Sequence, residues 1–199
     1  MSPVGHSIFG LTLAALAVPW LPKLTNDRLT NRRTSRFILL AVPVVFVALA
    51  SLPDWPIPNW GHDRYRISHS LFVNLALIFL VAVIWWLIKP LHRTVSLRIF
   101  AFGIMAWLSH LLLDTLYAHG RGLAMFWPFS ETRVSMPIPW FQVLNTNVPM
   151  WHTRNLSVFG YEALVYTPIL IAVLSVRFIL RARREKLSLS ESRNPTGHY

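Results

Sequence analysis

The sequence predicts an all-α membrane protein of about five spanning helices, and three observations lead there. Of its 199 residues, 54% are hydrophobic and 14% charged, whereas a soluble domain carries about a quarter charged residues. Five apolar stretches recur along the chain. The Lys and Arg residues lie in short runs between them, the distribution that the positive-inside rule produces. A net charge of +11 would otherwise suggest nucleic acid, but this interleaving points to membrane topology, so no nucleic-acid partner is expected.

The apolar stretches cover residues 8–21, 37–52, 71–88, 99–116 and 161–180. A bilayer core of about 30 Å takes about 20 helical residues. The last three stretches meet that length, and the first two are short of it. Residues 1–5 carry no basic cluster and no small-residue cleavage site stands apart, so the first stretch reads as a retained helix.

With five spans, three connecting regions share one side. They hold Lys23, Arg28, Arg32, Arg33 and Arg36; Lys89, Arg93 and Arg98; and Arg177, Arg181, Arg183, Arg184, Lys186 and Arg193. These are fourteen of the nineteen basic residues, which makes that side cytoplasmic. The N-terminus is then outside and the C-terminus inside. The chain is expected to form one helical membrane domain over residues 1–186, followed by a disordered tail over 187–199, rich in Ser, Glu, Asn, Pro and Gly. No internal repeat is evident.

Two regions face outward, residues 53–68 and a long loop over about 118–160. The loop contains Met125-Phe126-Trp127-Pro128-Phe129 and Pro137-Ile138-Pro139-Trp140-Phe141. Its prolines rule out a long regular helix, and Trp favours the membrane interface. It reads as an interfacial lid.

Eleven of the sixteen His, Asp and Glu residues fall on the outer side, opposite the basic residues. Nothing in the positive-inside rule requires that. His6 opens the first span, Asp54 follows the second, and His69 opens the third. His110 and Asp114 end the fourth, and Glu162 opens the fifth. Antiparallel helices bring such ends to one face, so residues scattered in sequence can converge. His110 and Asp114 share a helical face through their i,i+4 spacing inside an apolar segment, where ionisable groups face the bundle interior or a cavity.

Each residue alone has an ordinary structural explanation. His110 and Asp114 can pin helices to one another, Asp54 can cap a turn after Pro53, Glu162 can complement a helix dipole, and His6 and His69 can sit solvated at an interface. His62, His119 and His152 are weaker loop candidates. With no cysteine in the chain, any metal must rest on His and carboxylates, a donor set that suits Zn and also Mn or Fe. Asp54 and Glu162 are the candidates for catalytic acid–base work. The outer basic residues Arg64, Arg66, Arg121, Arg133 and Arg154 could grip phosphate oxygens or contact lipid head groups.

The pieces Gly5-His6-Ser7, Pro53-Asp54, Ile67-Ser68-His69-Ser70 and Ser109-His110-Leu111-Leu112-Leu113-Asp114, then Gly122 to Phe129 and Glu162, resemble the YdjM-like family of bacterial inner-membrane proteins. The match covers most of residues 1–165. The resemblance implies a metal-dependent hydrolase. The order His, Asp, His, His-x-x-x-Asp is also similar, more distantly, to the zinc-dependent phospholipase C and P1 nuclease group, which implies a related helical core and phosphoester hydrolysis. Three departures stand out. Pro56 occupies the place of a second acid, Arg64-Tyr65-Arg66 replaces a His-Arg-Gly, and Val158 stands four residues before Glu162 where the distant group has His. One or two ions, rather than three, is the resulting expectation, with His6, Asp54, His69, His110, Asp114 and Glu162 as ligands. Membrane lipid, or a lipid-like substrate, is the expected partner. A metal-binding transporter or sensor, and a scaffold held by a structural polar cluster, are the alternatives in other functional classes.

Overall fold

In the computed structural model the described residues are 2–18, 32–55, 67–89, 95–118, 122–138, 140–145 and 147–193. They form five α-helices: α1 Pro3–Ala17, α2 Arg32–Ser51, α3 Leu71–Leu87, α4 Leu97–Asp114 and α5 Thr153–Arg193. A 3-10 turn, Leu52–Asp54, extends α2. Among the described residues there is no β-strand, only isolated bridges at Tyr117–Phe141 and Leu123–Val134. The all-helical expectation therefore holds among the described residues, and each of the five apolar stretches contributes to an α-helix.

Serine starts three of these helices, for one physical reason. Its hydroxyl accepts a bond from an N–H that the first helical turn leaves unpaired. Ser2 Oγ accepts from Val4 N at 3.2 Å, Ser70 Oγ from Val73 N at 3.3 Å, and Ser96 Oγ from Ile99 N at 3.3 Å. Pro3 follows Ser2 at a first-turn position, where its missing N–H costs nothing. These caps start α1 five residues ahead of the apolar stretch and place His6 within the helix.

α4 and α5 are long and apolar enough to cross a bilayer, whereas α1, α3 and the apolar part of α2, Leu40–Asp54, are shorter. α5 continues to Arg193. Residues 187–193, assigned by composition to a disordered tail, are therefore helical. Pro195 and Gly197, the breakers that suggested the tail, come later, and residues 194–199 lie outside the described residues.

α1 packs against α2, α4 and α5, and α2 against α4. The core between them consists of Leu13, Ala14, Ala17, Val42, Phe46 and Ala106. Gly10 sets the closest approach: a Cβ there would sit 2.8 Å from the Phe46 carbonyl oxygen. Small residues of this kind let helix backbones approach within a membrane. A second cluster of Leu113, Tyr117, Phe141 and Tyr166 joins the end of α4 to the loop and α5.

The loop between α4 and α5 is irregular but tied down. Leu123 and Val134 exchange backbone bonds of 2.9 and 2.8 Å, Met136 N donates to Thr115 O at 3.0 Å, and Trp140 N to Leu116 O at 2.9 Å. Gly122 holds a positive φ of 75°, a conformation that favours glycine. The loop also reaches α3, where Leu71 N donates to Met125 O at 2.8 Å and Ser70 Oγ to the Trp127 carbonyl. Phe129, Ile138, Trp140 and Trp151 remain exposed along it. The irregular segment ends at His152, earlier than composition suggests. Buried Asn155 ties the first turn of α5 back to the loop, accepting from Asn145 N at 2.9 Å and donating to Pro149 O at 3.1 Å.

Candidate metal centre

The sequence scatters His6, Asp54, His69, His110 and Asp114 over four elements, and the fold gathers them at one end of the bundle. His6 lies in the first turns of α1, Asp54 ends the 3-10 turn after α2, and His69 sits on the turn leading into α3. His110 and Asp114 occupy the last turns of α4. The three imidazoles and Asp114 are at most 1% exposed, while the Asp54 side chain is 24% exposed. The cluster is therefore open on the Asp54 side.

All three histidines turn Nε2 toward the two carboxylates. His6 Nε2 lies 3.8 Å from Asp54 Oδ2 and 3.4 Å from Asp114 Oδ1. His69 Nε2 lies 3.5 Å from Asp54 Oδ1 and 3.2 Å from Asp114 Oδ2. For His110 Nε2 the same two separations are 3.6 and 3.4 Å. Donors held about 2.0–2.1 Å from one ion in tetrahedral array stand about 3.3 Å apart, close to these values. Four of the residues, His6, Asp54, His110 and Asp114, place ligand atoms within 4.8 Å of one another, and His69 joins them through the distances above.

The histidines are oriented by contacts behind the site. His110 Nδ1 lies 2.8 Å from the Ala50 carbonyl oxygen. A carbonyl only accepts, so Nδ1 carries a proton, and the ring when neutral presents its lone pair at Nε2. His69 Nδ1 pairs with Ser68 Oγ at 2.8 Å, leaving its own Nε2 facing that of His110 at 3.2 Å. Two ring nitrogens at this separation need a proton or a cation between them. His6 stacks on His110 with ring centroids 3.8 Å apart, and neither of its ring nitrogens makes a hydrogen bond. The buried Asp114 carboxylate beside a half-buried Asp54 is costly without compensating charge, and a divalent cation supplies it. The donor set, its tautomers and its charge all fit a metal ion.

Burial works to raise the Asp54 carboxyl, but the His110 and His69 rings that face it outweigh burial and hold the group well below the usual carboxylate range. It stays ionised, as a ligand must. The Tyr117 phenol, beyond the end of α4, is pushed up by burial and then by the Glu162 carboxylate.

Glu162 is fully buried, yet it hydrogen-bonds to the start of α1 rather than to the five donors. Its Oε1 accepts from Ser2 N at 3.0 Å and its Oε2 from Gly5 N at 2.9 Å and from Ser2 Oγ. It fastens the start of the helix that carries His6. Arg154 is exposed on the first turn of α5, with its backbone N–H on His152 Nδ1 at 3.3 Å. Arg133 donates to Gly122 O at 3.1 Å. Arg64, Arg66, Arg121, His62 and His119 lie outside the described residues.

Sequence reasoning missed two supporting residues. Asn74 Nδ2 donates to Ser68 O at 2.8 Å and Ser70 O at 2.7 Å, which clamps the turn carrying His69. Its Oδ1 accepts from Trp107 Nε1 at 2.7 Å. An amide in the first turn of an otherwise apolar helix was the visible signal. Ser2, which both caps α1 and meets Glu162, was signalled only by its place before Pro3.

The family model described as YdjM inner membrane protein matches residues 1–185. The chain belongs to the YdjM inner membrane protein family. The resemblance read from the His and Asp motifs thus agrees with a match across nearly the whole sequence. Membership of an inner membrane family also accords with the apolar length of α4 and α5. No curated protein and no solved structure matches the chain.

Proposed function

We propose that this YdjM-family chain is a membrane-bound, metal-dependent hydrolase that cleaves a phosphoester or related bond in a lipid or envelope substrate. The observation that carries the reading is the convergence of three imidazole Nε2 atoms and two carboxylates at ion-binding separations. Zinc suits this donor set best, with manganese or iron also compatible. The spacing supports one ion, because two ions about 3.5–4 Å apart would need more widely spread donors. Such an ion supplies Lewis acidity and lowers the pKa of water near it.

The chain's own groups have separable tasks. His6, His69 and His110 present Nε2, with the His110 tautomer set by the Ala50 carbonyl behind it, and Asp114 contributes its carboxylate from the buried side. Asp54, the most open of the five, faces the side from which water and substrate enter, and takes the attacking water's proton. Glu162 acts as a positioning residue that keeps α1, and so His6, in place. Arg154, together with Arg64, Arg66 and Arg121, contributes positive charge for a phosphate.

The placement of basic residues favours a multi-pass topology with the N-terminus outside, the C-terminus cytoplasmic and the centre at the outer membrane face. The exposed Phe129, Ile138, Trp140 and Trp151 favour a loop seated in the interface, where it guides an amphiphilic substrate. The decisive test is metal-dependent turnover of a chromogenic phosphodiester and of phospholipid by the purified full chain. Activity that chelation abolishes and zinc restores is expected. Metal binding without hydrolysis of any phosphoester would favour a transporter or sensor, and a folded protein that binds no metal would leave a structural knot.

A further inference from the structure

An apolar groove of about 370 Å³ runs between α2, α3 and α4. Its walls include Val45 and Leu49 of α2, Val81 of α3, and Phe100, Gly103 and Trp107 of α4, and every lining residue is apolar. Val45 and Val81 are also substantially exposed, so the groove opens on the outside of the bundle. In an inner membrane protein that outside is lipid.

Two of its walls lead directly to the metal centre. Leu49 precedes Ala50, whose carbonyl orients His110. Trp107 lies one helical turn before His110, and its indole N–H is bonded to Asn74, the residue clamping the His69 turn. Leu49 and Trp107 thus place one end of the groove beside the segments that carry the donor cluster.

We propose that this groove seats one acyl chain of a membrane lipid and thereby presents that lipid's head group to the metal centre. This rests on the hydrolase reading above and names its substrate class as an acylated lipid. The groove's size favours a chain over a protein helix. Its volume is at the low end of small-ligand pockets, while a packed helix about 10 Å across needs a much larger trench. The lining offers no polar group to a head group or a peptide, so only the hydrocarbon end can enter.

The test uses the full chain in nanodiscs containing a phosphatidylethanolamine with a diazirine in its acyl chain, followed by mapping of the photolabel. Label is expected to concentrate on Val81 and Phe100, above the level at Leu164 and Phe178, which are exposed on α5. Gly103→Leu should plug the groove, because a Cβ there meets only Leu49 Cδ1, at 3.4 Å. Val45→Trp should block its mouth. In either variant, with metal content unchanged as the sign of intact folding, label at Val81 and Phe100 should fall to the α5 level. Native mass spectrometry of the wild type, which depends on no variant, should show one retained phospholipid per chain. Even labelling across groove and α5, cross-links between two copies through the groove, or a chain that retains no phospholipid would each overturn the proposal. Labelling requires no turnover, so a protein that fails as a hydrolase still gives a clear answer about the groove.

Discussion

The Nδ1–H of His110 donates to the backbone carbonyl of Ala50 across 2.8 Å, joining the end of α4 to the end of α2. Ala50 is fully buried and lies four residues before Asp54, so one hydrogen bond fixes a proton on one candidate ligand and registers the element of a second. Orientation of ligating histidines by such outer contacts is general in metal sites. Here the contact is a main-chain atom, and no substitution of a partner side chain can remove it.

Asn74 is therefore the accessible place to disturb the histidines indirectly. Asn74→Ala removes two bonds to the Ser68 and Ser70 carbonyls and leaves the buried Trp107 indole N–H without its acceptor. A stability loss of about 1–3 kcal/mol is expected, with metal affinity reduced roughly 10–100-fold. Thermal unfolding in detergent and metal titration would check both.

Glu162 should behave as a fastener of α1. Glu162→Ala strips the acceptor from Ser2 N, Gly5 N and Ser2 Oγ, costing about 1–3 kcal/mol and weakening metal binding through His6. Glu162→Gln keeps an acceptor oxygen and should recover part of both. Equal loss of metal in the two variants at unchanged thermal stability would instead make Glu162 a direct ligand.

Gly10 and Gly160 should respond oppositely to alanine. At Gly10 the new methyl would meet Phe46 backbone at 2.8 Å, whereas at Gly160 nothing lies within 4 Å. Gly10→Ala should destabilise by about 1–3 kcal/mol. Gly160→Ala, in an exposed stretch of α5, should stabilise by up to about 1 kcal/mol. Paired thermal melts would read the difference.

Metal retention should fall as pH drops from neutral toward about 5, because an imidazole must be neutral to ligate and protons compete for it. Asp54 does not set this window. Its carboxyl is held below the usual range, so the stability it contributes is present above the ordinary carboxylate pKa of about 4 and is lost only below it. Metal content after dialysis across that range should decline with imidazole-like pH dependence. Loss that begins only near pH 4 would point to the carboxylates instead.

Much of this arrangement was legible in the sequence, for identifiable reasons. The His110–Asp114 spacing reports a shared helix face directly, and His6, Asp54 and His69 could be placed because each stands at the end of an apolar stretch. The partners of Glu162 could not be read. Its position fits both a ligand and a helix fastener, and only the packing of α1 against α5 shows that it meets Ser2 and Gly5. Asn74 was hidden because its role depends on Trp107, 33 residues away. The start of α5 at Thr153 depends on Asn155 reaching back to the loop, a contact without periodic signature.

The central claim is that the five residues form a metal centre, and elemental analysis of the purified full-length chain beside His110→Ala and Asp114→Ala tests it most directly. Stoichiometric zinc, manganese or iron in the wild type, lost from both variants while they remain folded, is the predicted result. A well-folded wild type that takes up no metal even after metal addition would contradict it.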